Sequence, residues 1–231
     1  MGIVIFGTND FAQLANFYLR HDPEGVKYLD TGYQHNQFHP RYLASKKPVA
    51  FTVNRLFRTQ DTFETLPIVD FESLSETHPP DKYLLFAPLA DNALRAQAFD
   101  EGKKRGYDFI SYVNSRIDTF NSVIGANCMI LENNTIQPFT RIGNNVIFWS
   151  GNHLGHHSTV ESNIFVASQA VISGHCHLKE GAWLGVNCCI REGVTIENNC
   201  IIGMGSVVTK HTEKSLTYVG NPAKPLHYGK V

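Results

Sequence analysis

No apolar run in the 231 residues approaches the roughly 18 that a membrane-crossing helix needs, and the longest basic cluster is Lys103-Lys104-Arg105. A membrane span and a nucleic-acid track are therefore both unexpected. With a net charge of −1 and 42% hydrophobic residues, the composition is that of an ordinary globular chain. The sequence opens on an apolar GIVIF and not on a basic region with an export signal, so a cytoplasmic location is expected. Cysteine is scarce too. Of the five, Cys128, Cys176, Cys188 and Cys200 recur at one inward position of the repeat described next, where a small core residue explains them without a disulfide or a metal.

What is present is a period of six. Over residues 124–208 every sixth position, from Ile124 to Val208, is aliphatic or Phe, with no insertion or deletion. No α-helix or ordinary strand repeats at six, so the period itself points to a coiled, repetitive architecture. Small or apolar residues recur four places after most of these positions, and Gly or Asn recurs three places after. Gly and Asn tolerate the left-handed backbone conformation best, so each hexad offers two inward positions and a corner.

Four corners depart from that rule: Phe139, His157, Gln169 and His175. If three hexads make one coil of 18 residues, Phe139, His157 and His175 fall in a single vertical column. Another column, Asn127, Asn145, Asn163, Gly181 and Asn199, is unbroken. His tolerates positive φ better than most residues, yet a ridge that exchanges turn-friendly residues for an aromatic and two imidazoles marks a candidate active site. The run GNHLGHHS at 151–158 adds His153 and His156 beside the His157 corner.

The first half of the chain reads differently. Residues 2–6 form a buried strand, followed by Gly7-Thr8-Asn9-Asp10 and an apolar-periodic helix through about Arg20. Such a turn offers backbone N–H groups and a helix N-terminus to phosphate, although only one glycine of the Gly-x-Gly-x-x-Gly fingerprint is present. Strands near 49–53, 66–69, 83–87 and 108–113, with a helix over 91–106, continue an alternation that implies a small parallel Rossmann-like sheet. The stretch 25–48, rich in Tyr, His and Gln, reads as an insertion or long loop. Two domains are expected: an α/β domain over 1–115 and a β-helix with a C-terminal tail over 116–231.

Three stretches, GIVIFGTNDFAQLA, LGHHSTVESN with the later SGHCHLKEGAWLGVN, and the closing VGNPAKPL, resemble the bacterial hexapeptide-repeat sugar acyltransferases. That group includes sialic-acid O-acetyltransferases and nucleotide-aminosugar N-acetyltransferases. The resemblance implies a left-handed parallel β-helix, a homotrimer with acetyl-CoA lying between neighbouring subunits, and a role in surface-glycan (O-antigen) synthesis. It also implies an N-terminal domain that holds the nucleotide of a UDP- or dTDP-linked amino sugar. The family's activating histidine matches His156, beside His157. Gly174, eighteen residues later, would supply the backbone N–H for the oxyanion of the tetrahedral intermediate. His175, Gly174, Gly203, Gly205, Lys210 and Lys224 match the cofactor-binding positions. Gly7, Thr8, Asn9, Asp10 and Asn54 match the nucleotide-binding ones, with Asp10 also read as a helix N-cap. Close relatives often place an acid directly after the catalytic histidine, where this chain has His157, which leaves open what orients the imidazole. His153 and His177 read as satisfied surface residues.

The principal expectation is thus acetyl-CoA-dependent N-acetylation of a nucleotide-linked amino-deoxysugar, with no metal cofactor. O-acetylation of a sugar hydroxyl is the nearest rival. A zinc enzyme of the γ-carbonic-anhydrase kind is suggested by the eleven histidines, but such enzymes resemble one another through a His-x4-His pair plus a third distant His, no two histidines of the repeat are five apart, and a zinc site needs three well-directed ligands. A non-catalytic scaffold would make the histidines incidental.

Overall fold

The computed structural model describes residues 1–28 and 47–226. The chain forms two compact units, Met1–Ser115 with Ala126–Cys128, and Arg116–Gly125 with Met129–Val231.

In the first unit the elements run β1 (Gly2–Phe6), α1 (Asp10–His21), β2 (Val26–Tyr28), β3 (Pro48–Val53), β4 (Thr62–Phe63), β5 (Leu66–Asp70), α2 (Leu74–Thr77), β6 (Tyr83–Phe86), α3 (Asn92–Lys104) and β7 (Ile110–Val113). The sheet has the order β4-β5-β3-β1-β6; β3, β1, β5 and β6 are parallel, and β4 folds back antiparallel on β5. The continuous apolar runs IVI and VAFTV suit strands buried on both faces, and Ile3, Val4, Ile5, Ala50 and Phe51 are fully buried. Val4, Ala50 and Leu85 pack against Phe71, Leu74, Ala98, Tyr107 and Phe109 in one core.

Three expectations need correction here. The strand expected at 108–113 does not extend the parallel sheet: β7 pairs antiparallel with β2, and its approach to β6 is a single bridge between Leu85 and Phe109. Residues 26–28 accordingly belong to a strand and not to a loop, held by buried Val26 and by the Tyr28 hydroxyl donating to Asp108 at 2.8 Å; the rest of the expected insertion, 29–46, lies outside the described residues. The N-cap of α1 is Asn9, whose side chain accepts from the Ala12 N–H at 3.2 Å, while Asp10 is the first helical residue. An extended backbone at Asn9 and an acid in the first turn suit that division of roles.

The second unit is the three-sided parallel β-helix that the period of six implies. Two-residue strands stack in three sheets with a constant shift of eighteen: Ile124, Ile142, Val160, Leu178 and Ile196 line one face. Ile130, Phe148, Val166, Leu184 and Ile202 line the second, and Ile136, Leu154, Ile172, Ile190 and Val208 the third. These residues and Cys128, Cys176, Cys188 and Cys200 are buried, and all five cysteines are free thiols. Every corner takes a positive φ whatever its residue type, including Phe139 (66°), His157 (57°), Gln169 (63°) and His175 (58°). The regular register ends at the last coil, where Ile201 pairs with Thr217 sixteen residues on.

Candidate active site

The anomalous corner column forms a ladder of rings along one edge of the prism. Phe139 lies 4.8 Å from His157 between ring centroids, and His157 stacks on His175 at 5.1 Å with 17° between planes. His156, on the same coil as His157, stands edge-on to both imidazoles, at 5.2 and 5.0 Å. Its Nδ1 is 3.1 Å from His157 Nδ1, so one ring donates a hydrogen bond and the other accepts it. If His156 donates, its Nε2 keeps a free lone pair. The three histidines are exposed, whereas the backbone beneath them is fixed: the His156 N–H donates to Gln137 Oε1 at 2.9 Å, and the His175 N–H to the His156 carbonyl at 2.9 Å.

Gly174 sits one coil above His156. A β-carbon there would lie 2.8 Å from His156 Cε1 and 2.9 Å from Nε2, so the absence of a side chain is what leaves room for the imidazole. The N–H at this position of a hexad is outside the strand ladder and can be taken up by a side chain nineteen residues earlier: Gln137 serves His156, and Glu161 serves Glu180. For Gly174 that earlier residue is Gly155, which has no side chain to offer. A β-carbon on Gly155 would in fact collide with the Gly174 nitrogen. Among the described residues the Gly174 N–H has no acceptor, although Gly174 is buried. An unpaired buried donor costs about 1–3 kcal/mol, so a ligand atom that accepts from it gains a partner at no competing cost.

Other candidates lie elsewhere on the repeat. The eighteen-residue register that joins His156 to Gly174 continues through Glu192 to Lys210, which is exposed, about 14 Å along the edge at three rungs of about 4.8 Å. Gly205 is an exposed corner at φ 66°, and Gly203 packs beside Val219. Lys224 is exposed on a short strand that pairs antiparallel with Val219. His177 bonds Glu161 at 2.7 Å.

In the first unit a cavity of about 320 Å³ gathers Gly7, Thr8, Asn9 and Asn54 from the ends of β1 and β3. Asp10 is exposed and is not among its lining residues. The cavity also takes in Phe6, Val53, Phe57, Phe71, Leu89 and Leu94, which give it a mostly apolar wall. One side is pinned by Arg95, fully buried, whose guanidinium donates to the Leu89 and Ala90 carbonyls and to Asn92 Oδ1; burial lowers its pKa to about 10. The sequence reading missed Phe57, Leu89 and Leu94, and on the β-helix it missed Gln137 and Gly155. The spacing of nineteen between Gly155 and Gly174 was the one available signal for the latter.

Residues 121–156 and 175–210 match the family described as bacterial transferase hexapeptide (six repeats). No curated protein sequence matches the chain. Among solved structures, perosamine N-acetyltransferase from Caulobacter crescentus, in complex with CoA and GDP-perosamine, superposes with a TM-score of 0.82 at 20% identity, covering 98% of this chain and 97% of that one. The acetyltransferase domain of PglB from Neisseria gonorrhoeae, in complex with acetyl coenzyme A, gives 0.79 at 16% identity over 97% and 98% of the two chains. WeeI from Acinetobacter baumannii gives 0.68 at 18% identity over 98% and 100%. Two stretches of the repeat are thus similar to the bacterial hexapeptide transferases, and the fold of the chain is the one found in perosamine N-acetyltransferase.

Proposed function

We propose that the protein is an acetyl-CoA-dependent N-acetyltransferase acting on the amino group of a nucleotide-linked amino-deoxysugar, with His156 as general base. The observation that carries this reading is the pairing of an exposed imidazole with an unengaged N–H one coil above it. Acyl transfer needs both. The amine nitrogen attacks the thioester carbonyl carbon and forms the new C–N bond, while His156 Nε2 takes the amine proton. That step is worth about 10²- to 10⁴-fold when a base is well placed. Negative charge collects on the carbonyl oxygen, within reach of the Gly174 N–H, a donor type worth about 10²-fold or more. Collapse of the intermediate breaks the C–S bond, and the proton on His156 passes to the departing thiolate, giving the amide and free CoA.

His157 stands where relatives carry an acid. Taken as the acceptor in the 3.1 Å contact, its Nδ1 receives the His156 Nδ1–H and so keeps the lone pair of the base on Nε2. The ring ladder of Phe139 and His175 holds His157 in that orientation. The CoA chain would run along the edge from His156 and His175 toward Lys210, with Gly203, Gly205 and Lys224 at its far end. The nucleotide would occupy the cavity at Gly7, Thr8, Asn9 and Asn54, its pyrophosphate at the N-terminus of α1 and its base against Phe57. A trimer in the cytoplasm that serves surface-glycan synthesis fits this reading.

Purified protein incubated with acetyl-CoA and a panel of UDP-, dTDP- and GDP-linked aminosugars is expected to release free thiol and a product one acetyl group heavier. Thiol release with sugars that carry only hydroxyl acceptors, and none with amines, would replace this reading by O-acetylation. Silence across the panel would remove both.

A further inference from the structure

The ring ladder has a second chemical capacity. Each of His156, His157 and His175 offers one nitrogen, and all three lie within 4.8 Å of one another. A tetrahedral zinc ion with Zn–N bonds of about 2.0–2.1 Å spaces its nitrogens about 3.4 Å apart. The 3.1 Å between His156 Nδ1 and His157 Nδ1 is already close to that spacing, and the His175 nitrogen lies within 4.8 Å of its two partners. Among the described residues no carboxylate or thiol joins the group, so the donor set is purely imidazole. Imidazole suits zinc, copper, nickel and cobalt and is a poor match for magnesium or calcium.

The scaffold favours the same conclusion. Two of the ligands sit at corners, at φ 57° and 58°, where ten other corners of the repeat carry Asn or Gly at less cost. Successive coils hold them one rung apart, and the backbone bond from the His175 N–H to the His156 carbonyl ties the third to the same frame. The rings are exposed, so a cation can enter and keep a water in its open position. The spacing that spoke against a zinc enzyme, the lack of a five-residue histidine pair, applies to ligands along one strand. These ligands come from neighbouring corners one coil apart.

We propose that His156, His157 and His175 form a site for a zinc-class divalent cation whose occupation silences the base. A metal on His156 Nδ1 takes the lone pair of that atom and displaces its hydrogen bond, so the single proton of the neutral ring moves from Nδ1 to Nε2, where no lone pair is then free to accept one from the acceptor amine. The cation is an inhibitor here and takes no part in the transfer. The silencing rests on the assignment of His156 as base; the binding does not.

The test uses untagged, chelator-treated full chain titrated with Zn²⁺ by calorimetry and with Co²⁺ by visible absorption. His157→Asn and His175→Asn serve as variants, since Asn is what six of the other corners carry and both should fold. One equivalent per chain is expected, with Mg²⁺ inert. Each variant should bind at least about tenfold more weakly, because even an outer-shell partner is worth about 10- to 100-fold. No uptake of Zn²⁺ or Co²⁺ by the wild type, or equal uptake in both variants, overturns the site. In turnover assays Zn²⁺ should inhibit and a chelator should restore the rate; binding without inhibition overturns the silencing alone. Because binding is read without turnover, its failure and that of the acetyl-transfer reading are separate results.

Discussion

Gly174 and His156 occupy the same place on successive coils, so closely that a β-carbon at 174 would come within 2.9 Å of the His156 Nε2. The conflict is with the far end of a side chain and not with backbone, so Gly174→Ala should fold normally while pushing the imidazole aside. Misplacing a catalytic group by about 1 Å costs about 10²-fold, and a fall of that order in kcat with an unchanged thermal midpoint is expected. Retained activity would mean that the base acts from another position.

Substitution at His156 itself removes the proposed proton acceptor. His156→Asn should lower kcat/KM by about 10²- to 10⁴-fold with unchanged circular dichroism. His157→Phe is the more telling variant, because it keeps an aromatic ring to stack on Phe139 and His175 and deletes the nitrogen that faces His156. A drop of roughly 10-fold in kcat with little change in KM is expected if His157 fixes the tautomer. Full activity in His157→Phe would show that the base works unassisted.

These experiments concern a site that the sequence revealed only in outline. The corner column was legible because a period of six makes every exception visible, and the eighteen-residue coil converts position along the chain directly into height. The backbone kept that correspondence: Phe139, His157 and His175 all hold positive φ like the corners around them. Ring orientation obeys no such period, so the Nδ1 contact of His156 with His157 could not be read in advance. The cavity of the first unit was harder still. Gly7, Thr8 and Asn9 follow a strand in a familiar pattern, whereas Phe57, Leu89 and Leu94 come from segments with no periodic relation to it. The departure of β7 from the parallel sheet was hidden for a related reason: a short, mostly apolar run, ISYV, specifies a buried strand but not its partner.

The corner rule also predicts where stability has been given up. Gln169 holds φ 63° outside the ring ladder, so Gln169→Asn should raise unfolding free energy by about 0.5–1 kcal/mol without affecting turnover. The same change at His175 should also stabilise, yet it removes a ring of the ladder and should reduce turnover. Denaturant unfolding beside initial-rate assays distinguishes the two corners. Equal loss of turnover at both would mean that the ladder is not special among the corners.

In the first unit, Asp22 provides a pH-dependent anchor. Burial alone would raise its pKa, but the Ser115 N–H at 2.9 Å and the Tyr112 hydroxyl at 2.8 Å both donate to Oδ2, and the net effect is a carboxyl held below its usual value. The unfolded chain therefore takes up a proton on this group first as pH falls, and stability rises with pH across the window between the two values. The contribution is complete above the ordinary carboxylate pKa of about 3.9 and is lost as pH drops through the lower folded value. Asp22→Asn should thus be less stable than wild type at pH 7, and the gap should narrow on acidification toward pH 3. Urea unfolding at the two pH values checks this. A gap of constant size would mean that the lost hydrogen-bond geometry, and not the carboxylate charge, accounts for the difference.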